Sequence, residues 1–239
     1  MAYQTVFKRY ELKYMIKREQ MQRLLSVMND YMIPDRYGRS TVRNIYFDDD
    51  TYRLIRHSIE KPAYKEKLRV RSYARADEGS TVFVELKKKY KKVVYKRRVS
   101  LTEREAMDWL AGKAHTVPDT QITREIDYFM SFYSPLSPKV FLSYEREAYY
   151  SKDDPTLRVT FDDNILCRRD GLSLCTDVGG TPILPEGYVL MEIKCAGAIP
   201  LWLTRVLSAE KIYKTSFSKY GTAYRTLIFP ELKEDMTNA

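Results

Sequence analysis

Cysteine and histidine are both scarce in this sequence. Its 239 residues include three cysteines and two histidines. Cys167, Cys175 and Cys195 are odd in number and form no Cys-x-x-Cys pair, which argues against a disulfide framework and a structural zinc site and fits a reducing cytosol. A histidine-rich metal site is excluded as well. Any metal would have to be held by carboxylates, which favours Mg²⁺ or Mn²⁺.

Long apolar runs and the common catalytic motifs are also missing. No apolar run approaches the ~20 residues that a membrane helix needs, and the first residues lack the apolar core of a signal peptide. We therefore expect a soluble, cytoplasmic protein without a membrane segment. The Gly-x-x-x-x-Gly-Lys-Ser/Thr pattern is absent, which excludes a P-loop as the phosphate cradle. Nothing resembles a serine or cysteine triad.

Positive charge, by contrast, is abundant. The chain carries 41 lysines and arginines against 32 aspartates and glutamates, a formal net charge of +9. Such a surplus indicates an anionic partner, although a solvated basic surface without a ligand is the simpler alternative. The 20 tyrosines show no regular interleaving with the basic positions, which disfavours a nucleic-acid partner.

The basic residues recur on one face of the predicted strands. Alternation with a period of two predicts strands at residues 7–14, 42–48, 64–73, 82–88, 93–101, 140–147, 157–163 and 188–194. Each strand sets an apolar face against a polar one, as where Arg158, Thr160 and Asp162 alternate with apolar residues. Carboxylates enter the basic faces sparingly, as Glu11, Glu85 and Glu192, each two residues before a lysine.

Helices are predicted between these strands. Apolar spacing and capping signals place them at residues 17–30, about 51–57, 102–110 and 118–132, from 200 onward, and about 220–229. Asp48, Asp49 and Asp50 suit the capping of the second helix better than metal binding. No linker interrupts the chain, so we expect one domain over residues 1–239, with a core at about 4–229 and a tail at 230–239.

Two architectures fit charged strands of this kind. An open antiparallel sheet can expose its polar face to water. A closed barrel can instead turn the ions inward around an anion and its metal, with helices covering the apolar outer face. The dominance of arginine and lysine favours the second, because guanidinium forks and ammonium groups together suit a run of phosphates.

Eight short motifs in order resemble a known family. They are Arg9-Tyr-Glu-Leu-Lys-Tyr14, Ile45-Tyr-Phe-Asp48, Leu68-Arg-Val-Arg71, Val84-Glu-Leu-Lys87, Tyr144-Glu-Arg146, Leu157-Arg-Val159, Met191-Glu-Ile-Lys194 and Phe217-Ser-Lys-Tyr220. The set resembles the VTC domain, the polyphosphate polymerase domain of the triphosphate tunnel metalloenzyme superfamily, which is CYTH-like. The resemblance implies an α+β fold with a closed eight-stranded antiparallel β-barrel, the triphosphate tunnel, and helices packed outside. It also implies ATP-dependent polyphosphate synthesis assisted by Mn²⁺ or Mg²⁺.

The resemblance also implies roles for individual residues. The phosphate contacts would be Lys13, Arg69, Arg71, Lys87, Lys96, Arg98, Arg146, Arg158 and Lys219, with Ser218 beside the last; Lys67 and Lys194 share the same charged faces. The metal ligand would be Glu192, helped by Glu11 or Glu85, although Glu85 is equally suited to pairing with a neighbouring arginine. The residues expected to matter most for catalysis are Arg71, Arg158, Lys87 and Glu192.

A mechanism follows from these assignments as a hypothesis. The triphosphate of ATP lies along Arg69, Arg71, Lys87 and Arg158, and a chain end held by Lys13, Lys96 and Lys219 attacks the γ-phosphorus. The wider superfamily opens with Glu-x-Glu-x-Lys, and Arg9 stands here at the first glutamate, which thins the metal site and disfavours simple hydrolysis. A triphosphatase or short-chain polyphosphate hydrolase and a non-catalytic polyphosphate-binding module remain the alternatives.

Overall fold

A computed structural model describes residues 10–91, 93–114 and 116–237 of the chain. Its strands are β1 (Tyr10–Lys17), β2 (Met32–Pro34), β3 (Ser40–Asp48), β4 (Tyr64–Ser72), β5 (Thr81–Tyr90), β6 (Val93–Thr102), β7 (Ser137–Ser151), β8 (Arg158–Arg168), β9 (Thr181–Pro182), β10 (Tyr188–Cys195) and β11 (Lys214–Thr215). Its helices are α1 (Arg18–Met28), α2 (Arg53–Ile59), α3 (Glu103–Leu110), α4 (Gln121–Phe132), α5 (Leu201–Ala209), α6 (Lys219–Ala223) and α7 (Phe229–Thr237), with a π-helical turn at Tyr224–Ile228. All eight predicted strands are present; residues 7–9 of the first lie outside the described ranges.

The strand order confirms an antiparallel, sheet-rich α+β fold but not the predicted barrel. The order is β11-β1-β10-β8-β7-β3-β4-β5-β6, with β2 beside β7 and β9 beside β8. A closed barrel needs its last strand to pair with its first, whereas this order ends at β11 and β6. The prediction of a closed eight-stranded barrel is therefore wrong for the described residues, which form an eleven-stranded sheet. The three additional strands have two or three residues each, too few to show an alternating pattern.

The residues fall into two compact units, within each of which the Cα atoms lie close together in space. The first unit comprises the residues up to Thr41 together with Tyr144–Ile165 and Leu184–Ser218. The second unit comprises Val42–Ser143, Leu166–Ile183 and the residues from Lys219 onward. Each unit has its own apolar core and its own cluster of charged side chains.

The core of the first unit lies on the apolar face of β1, β10 and β8. Tyr14 pairs with Met191 across β1 and β10, and Met191 pairs with Phe161 on β8. All three are buried in one cluster with the inward residues of α1 and α5, among them Leu24 and Leu203. Because side chains alternate along a strand, the residues between them, which carry the charges, face the opposite side.

The core of the second unit is built in the same way on β3, β4, β5 and β6. Ile45 pairs with Val70, which pairs with Val84, and these residues pack with Trp109 of α3 and Phe129 of α4. Helix α3 begins with the predicted capping box, in which the side chains and backbones of Thr102 and Glu105 satisfy one another.

Two helix ends bear on the sequence predictions. The Asp48 carboxylate accepts hydrogen bonds from the backbone N–H groups of Leu54 and Ile55 at 2.8 and 3.0 Å, which confirms its capping role in α2. The last helix was predicted to end at about 229, whereas α7 continues to Thr237; the division into a core and a tail at 230–239 stays a prediction. None of the helices in the described ranges combines the length and the hydrophobicity of a membrane span; the cytoplasmic location stays a prediction.

Candidate functional site

The charged face of the first unit carries a cluster around Glu192. Backbone pairing sets Lys13 of β1 beside Glu192 of β10, and Glu192 beside Thr160 of β8. This Glu192 cluster consists of Glu11, Lys13, Arg146, Asp162, Glu192 and Lys194. Glu192 is 5% exposed, so its charge requires nearby cations to offset the loss of water.

Three cations surround the Glu192 carboxylate. Lys13 Nζ lies 3.2 Å from its Oε1, and Arg146 Nη2 and Lys194 Nζ lie 3.7 and 3.6 Å from its Oε2. Lys13 Nζ is also 3.2 Å from Glu11 Oε1. One ammonium group therefore lies between two carboxylates. Burial disfavours the charged form of Lys13, but Glu192 and Glu11 outweigh burial and raise its pKa above the ordinary value.

Asp162 holds Arg146 in a fixed orientation. Arg146 Nε and Nη2 donate to the two Asp162 oxygens at 2.6 Å each, and Asp162 is fully buried. Burial opposes the charge on Arg146, yet Tyr144, Asp162 and Glu192 raise its pKa well above the ordinary value. Asp162 was not among the predicted site residues. The available signal was its position on the same strand face as Arg158 and Thr160.

Two polar atoms on that face of β8 are buried without an acceptor. Arg158 Nη2 lies 3.6 Å from Asp35 Oδ2, and its guanidinium lies 4.9 Å from the centre of the Tyr150 ring. Arg158 Nε and Thr160 Oγ1, however, have no hydrogen-bond partner within the described part of the chain. The face therefore presents donors that an incoming anion can satisfy.

The charged face of the second unit carries a cluster around Glu85. Backbone pairing lines up Tyr46, Arg69, Glu85 and Arg98 across β3, β4, β5 and β6. We use the name Glu85 cluster for Arg69, Arg71, Glu85, Lys96 and Arg98. Side-chain alternation placed all of these residues on the predicted charged faces.

Glu85 is more tightly held than Glu192. Arg69 donates to Oε2 from Nε and Nη2 at 2.8 and 2.7 Å. Lys96 Nζ lies 2.6 Å from Oε1, and Arg98 Nε donates to the same oxygen at 2.7 Å. Glu85 is 1% exposed. Burial favours the neutral acid, but the cations, with Arg69 the largest contributor, hold the pKa of Glu85 far below its usual range.

Arg71 and Arg69 also donate to uncharged neighbours, whereas Lys96 is affected by burial and by the charges around it. Arg71, which is 6% exposed, donates from Nε to Asn44 Oδ1 at 2.8 Å. Arg69 also donates to the Tyr46 hydroxyl at 2.9 Å. Burial lowers the pKa of Lys96 to about 8, since the nearby guanidinium groups add to burial and outweigh Glu85. Lys96 is therefore a cation whose charge changes near neutral pH.

Tyr220 connects the start of α6 to Asp48. The Tyr220 hydroxyl donates to Asp48 Oδ2 at 3.0 Å, and the two rings of Tyr220 and Tyr46 lie 4.8 Å apart. Lys67 Nζ lies 5.9 Å from the Tyr220 ring centre. Lys219 directly precedes Tyr220, so the buried tyrosine fixes the backbone that carries this predicted phosphate contact.

The carboxylates fit a divalent metal only together with substrate. Within the described ranges, no group of three or more His, Cys, Asp and Glu side chains is arranged to hold a metal ion. The carboxylates of Glu11 and Glu192 both lie 3.2 Å from Lys13 Nζ, so these two acidic groups are close to the same point. Mg²⁺ is commonly bound by one or two carboxylates, with phosphate oxygens and waters completing its coordination. A site formed by Glu11 and Glu192 matches that pattern.

The predicted site residues fall into both units. The first unit contains Glu11, Lys13, Arg146, Arg158, Glu192, Lys194 and Ser218; the second contains Lys67, Arg69, Arg71, Glu85, Lys87, Lys96, Arg98 and Lys219. Within each unit the ionic contacts above bring together Glu11, Lys13, Arg146, Glu192 and Lys194, and Arg69, Glu85, Lys96 and Arg98. Their joint action on one phosphate chain stays a prediction.

Comparisons with known proteins give a family and a fold. The sequence matches the family model of the VTC domain over residues 8–228. No curated protein matches the chain. A candidate adenylate cyclase from Bacillus halodurans is similar in structure, with a TM-score of 0.58, 15% identity, and 93% of this chain and 99% of that chain covered.

A second solved structure gives a similar result. A candidate adenylyl cyclase from Hippeastrum, described with a dominant triphosphatase activity, has a TM-score of 0.52 at 14% identity, with 90% of this chain and 94% of that chain covered. At such identities these two structures show a shared fold.

Proposed function

The chain belongs to the VTC domain family, and from this premise we propose that it transfers the γ-phosphate of ATP to a growing polyphosphate chain. The observation that carries the proposal is the presence of two clusters in which a buried glutamate gathers three cations. The Glu85 cluster has four cations against one carboxylate and is therefore positively charged, whereas in the Glu192 cluster three carboxylates balance three cations. Phosphoryl transfer needs little more from a protein than positioning and charge stabilisation.

The cations have distinct tasks in this proposal. In the second unit, Arg69, Arg71 and Lys87 bind phosphate oxygens, and in the first unit Arg158 and Lys13 do the same. Guanidinium groups can bind two oxygens at once, whereas lysine acts as a point charge. No protein nucleophile is required, because the terminal phosphate of the acceptor chain attacks the γ-phosphorus itself.

Mn²⁺ or Mg²⁺ is the cofactor in this proposal, and Glu192 with Glu11 would hold it. When bound there, the ion would supply positive charge to neutralise the phosphate oxygens. Lys13, placed between the same two carboxylates at 3.2 Å, keeps them compensated in the substrate-free protein. We assign Glu85 to holding Arg69, Lys96 and Arg98 in place, since its contacts of 2.6–2.8 Å already satisfy both oxygens.

The test is to incubate the purified protein with ATP and Mn²⁺ and to resolve the product on a gel. Growth of a phosphate chain supports the polymerase. Release of orthophosphate alone identifies a triphosphatase or short-chain hydrolase. Polyphosphate binding that a chelator does not affect, without ATP consumption, identifies a binding module.

Variants in each unit sharpen this test. Arg71→Ala and Arg158→Ala should each reduce turnover by orders of magnitude, because each removes a guanidinium proposed to bind the reacting phosphates. Far-ultraviolet circular dichroism checks that the fold is retained. Full activity in both variants would remove these cations from the mechanism.

A further inference from the structure

Thr160 has a buried hydroxyl without a hydrogen-bond partner among the described residues. The residue is 1% exposed, and its Oγ1 has no hydrogen-bond partner within the described ranges. Burying a hydroxyl in this state costs free energy, because its hydrogen bonds to water are lost without replacement. Valine has nearly the same shape and avoids that cost, so the hydroxyl destabilises the protein unless something else uses it.

The surroundings of Thr160 indicate what that partner is. Thr160 lies on the charged face of β8 between Arg158 and Asp162, and its backbone pairs with that of Glu192. Arg158 Nε, two residues away on the same face, is also buried and has no acceptor among the residues that the structure describes. Two neighbouring donors that both lack an acceptor are explained together by an oxyanion that brings its own oxygens.

We propose that Thr160 is a phosphate-binding residue whose hydroxyl donates a hydrogen bond to a non-bridging oxygen of the substrate phosphate chain. The inference rests on the proposed function, since it specifies a contact to the same substrate class. A hydroxyl adds a directed hydrogen bond without changing the charge of a face on which Glu11, Asp162 and Glu192 already balance Lys13, Arg146 and Lys194. It therefore contributes to the alignment of a phosphate group rather than to long-range attraction.

The decisive variant is Thr160→Val, which removes the hydroxyl and keeps the shape. Binding of inorganic triphosphate by titration calorimetry should weaken by about 10- to 100-fold, as expected for losing a hydrogen bond to a charged group. The melting temperature of the ligand-free protein should stay unchanged or rise, because an unsatisfied hydroxyl has been removed. Thr160→Ser keeps a hydroxyl and should restore most of the affinity.

Thr123 offers a matched control. It is 3% exposed, but its hydroxyl donates to the Pro118 carbonyl at 2.8 Å and accepts from the Thr120 N–H at 2.8 Å. Thr123→Val should therefore lower the melting temperature and leave triphosphate affinity unchanged. The two valine variants are thus expected to show opposite patterns.

Other outcomes of these measurements would contradict either the role of Thr160 or the proposed function. Wild-type affinity in Thr160→Val, or a lower melting temperature of its ligand-free form, would overturn the inference alone and leave the proposed function standing. If the wild-type protein binds no triphosphate, the proposed function and the inference both fail. If Thr160→Val does not fold, Thr160→Ala is measured against the same expectations for affinity.

Discussion

Replacing Glu85 with glutamine tests what this residue does. The change removes one negative charge and leaves Arg69, Lys96 and Arg98 facing one another. Breaking a buried ion pair by removing one partner costs about 3–5 kcal/mol. The Lys96 and Arg98 side chains stay 42% and 34% exposed, so solvent screens part of the repulsion and we expect a loss of about 3 kcal/mol.

The loss is measured as a fall in melting temperature. For a domain of this size, about 2–4 °C per kcal/mol gives a decrease of roughly 6–12 °C. Added triphosphate should raise the melting temperature of Glu85→Gln more than that of the wild type, because the phosphates supply the missing negative charge. The matched control is Glu186→Gln, since Glu186 is exposed; it should change the melting temperature little.

The opposite outcome would identify Glu85 as a metal ligand. A ligand-free melting temperature within about 2 °C of the wild type, combined with loss of the Mn²⁺ requirement, would refute the role in holding the cations.

The pH dependence of stability gives a second check on the role of Glu85. The pKa of Glu85 is lowered in the folded state from an ordinary value of 4.5, so its stabilisation is present above that value and declines below it. The difference between wild type and Glu85→Gln should therefore shrink from pH 6 to pH 3.

Three further predictions concern Lys96, Asp162 and Tyr220. Because the pKa of Lys96 is about 8, triphosphate affinity measured by calorimetry should fall from pH 7 to pH 9, and Lys96→Arg should flatten that fall; a flat wild-type profile contradicts this. Asp162→Asn removes the charge that holds Arg146, so turnover should drop at least tenfold in a chain-growth assay; unchanged turnover would exclude that positioning role. Tyr220→Phe leaves Asp48 with one donor fewer and should cost about 1 kcal/mol in denaturant unfolding; equal stability would show that this hydrogen bond is not stabilising.

Alternation along the strands was sufficient to predict most of the sheet. In β10 every second residue from Val189 onward is apolar, and in β8 Val159 and Phe161 alternate with polar residues, so both strands and their inward faces followed from the sequence. The sequence did not show whether the sheet closes into a barrel, because side chains alternate with a period of two in an open sheet and in a closed one. Helix α7 was not predicted, although Pro230 in its first turn is compatible with a helix. Proline lacks an N–H, but in the first turn that N–H has no partner within the helix.

Most residues of the site could be predicted from the sequence, but the contacts between them could not. Alternation put Glu85 and Arg98 on charged faces, yet only the strand register shows that they are direct neighbours. Asp162 was missed for the same reason, since its partner Arg146 lies on a different strand. The unsatisfied state of Thr160 depends on every atom around it, and a sequence pattern carries no information on that.

Glu85 and Glu192 lie in the same short motif, a glutamate followed two residues later by a lysine, but their surroundings differ. Both are followed by lysine two residues later, both are nearly buried, and both have three cations around them. Their contact distances differ: 2.6–2.8 Å at Glu85 and 3.2–3.7 Å at Glu192. Charge-assisted hydrogen bonds have lengths of about 2.7–2.9 Å, so the Glu85 oxygens are fully engaged, whereas Glu192 keeps its cations at looser distances. In the proposed function, the Glu192 carboxylate would hold the metal ion, and the Glu85 carboxylate would fix the guanidinium groups that contact the phosphates.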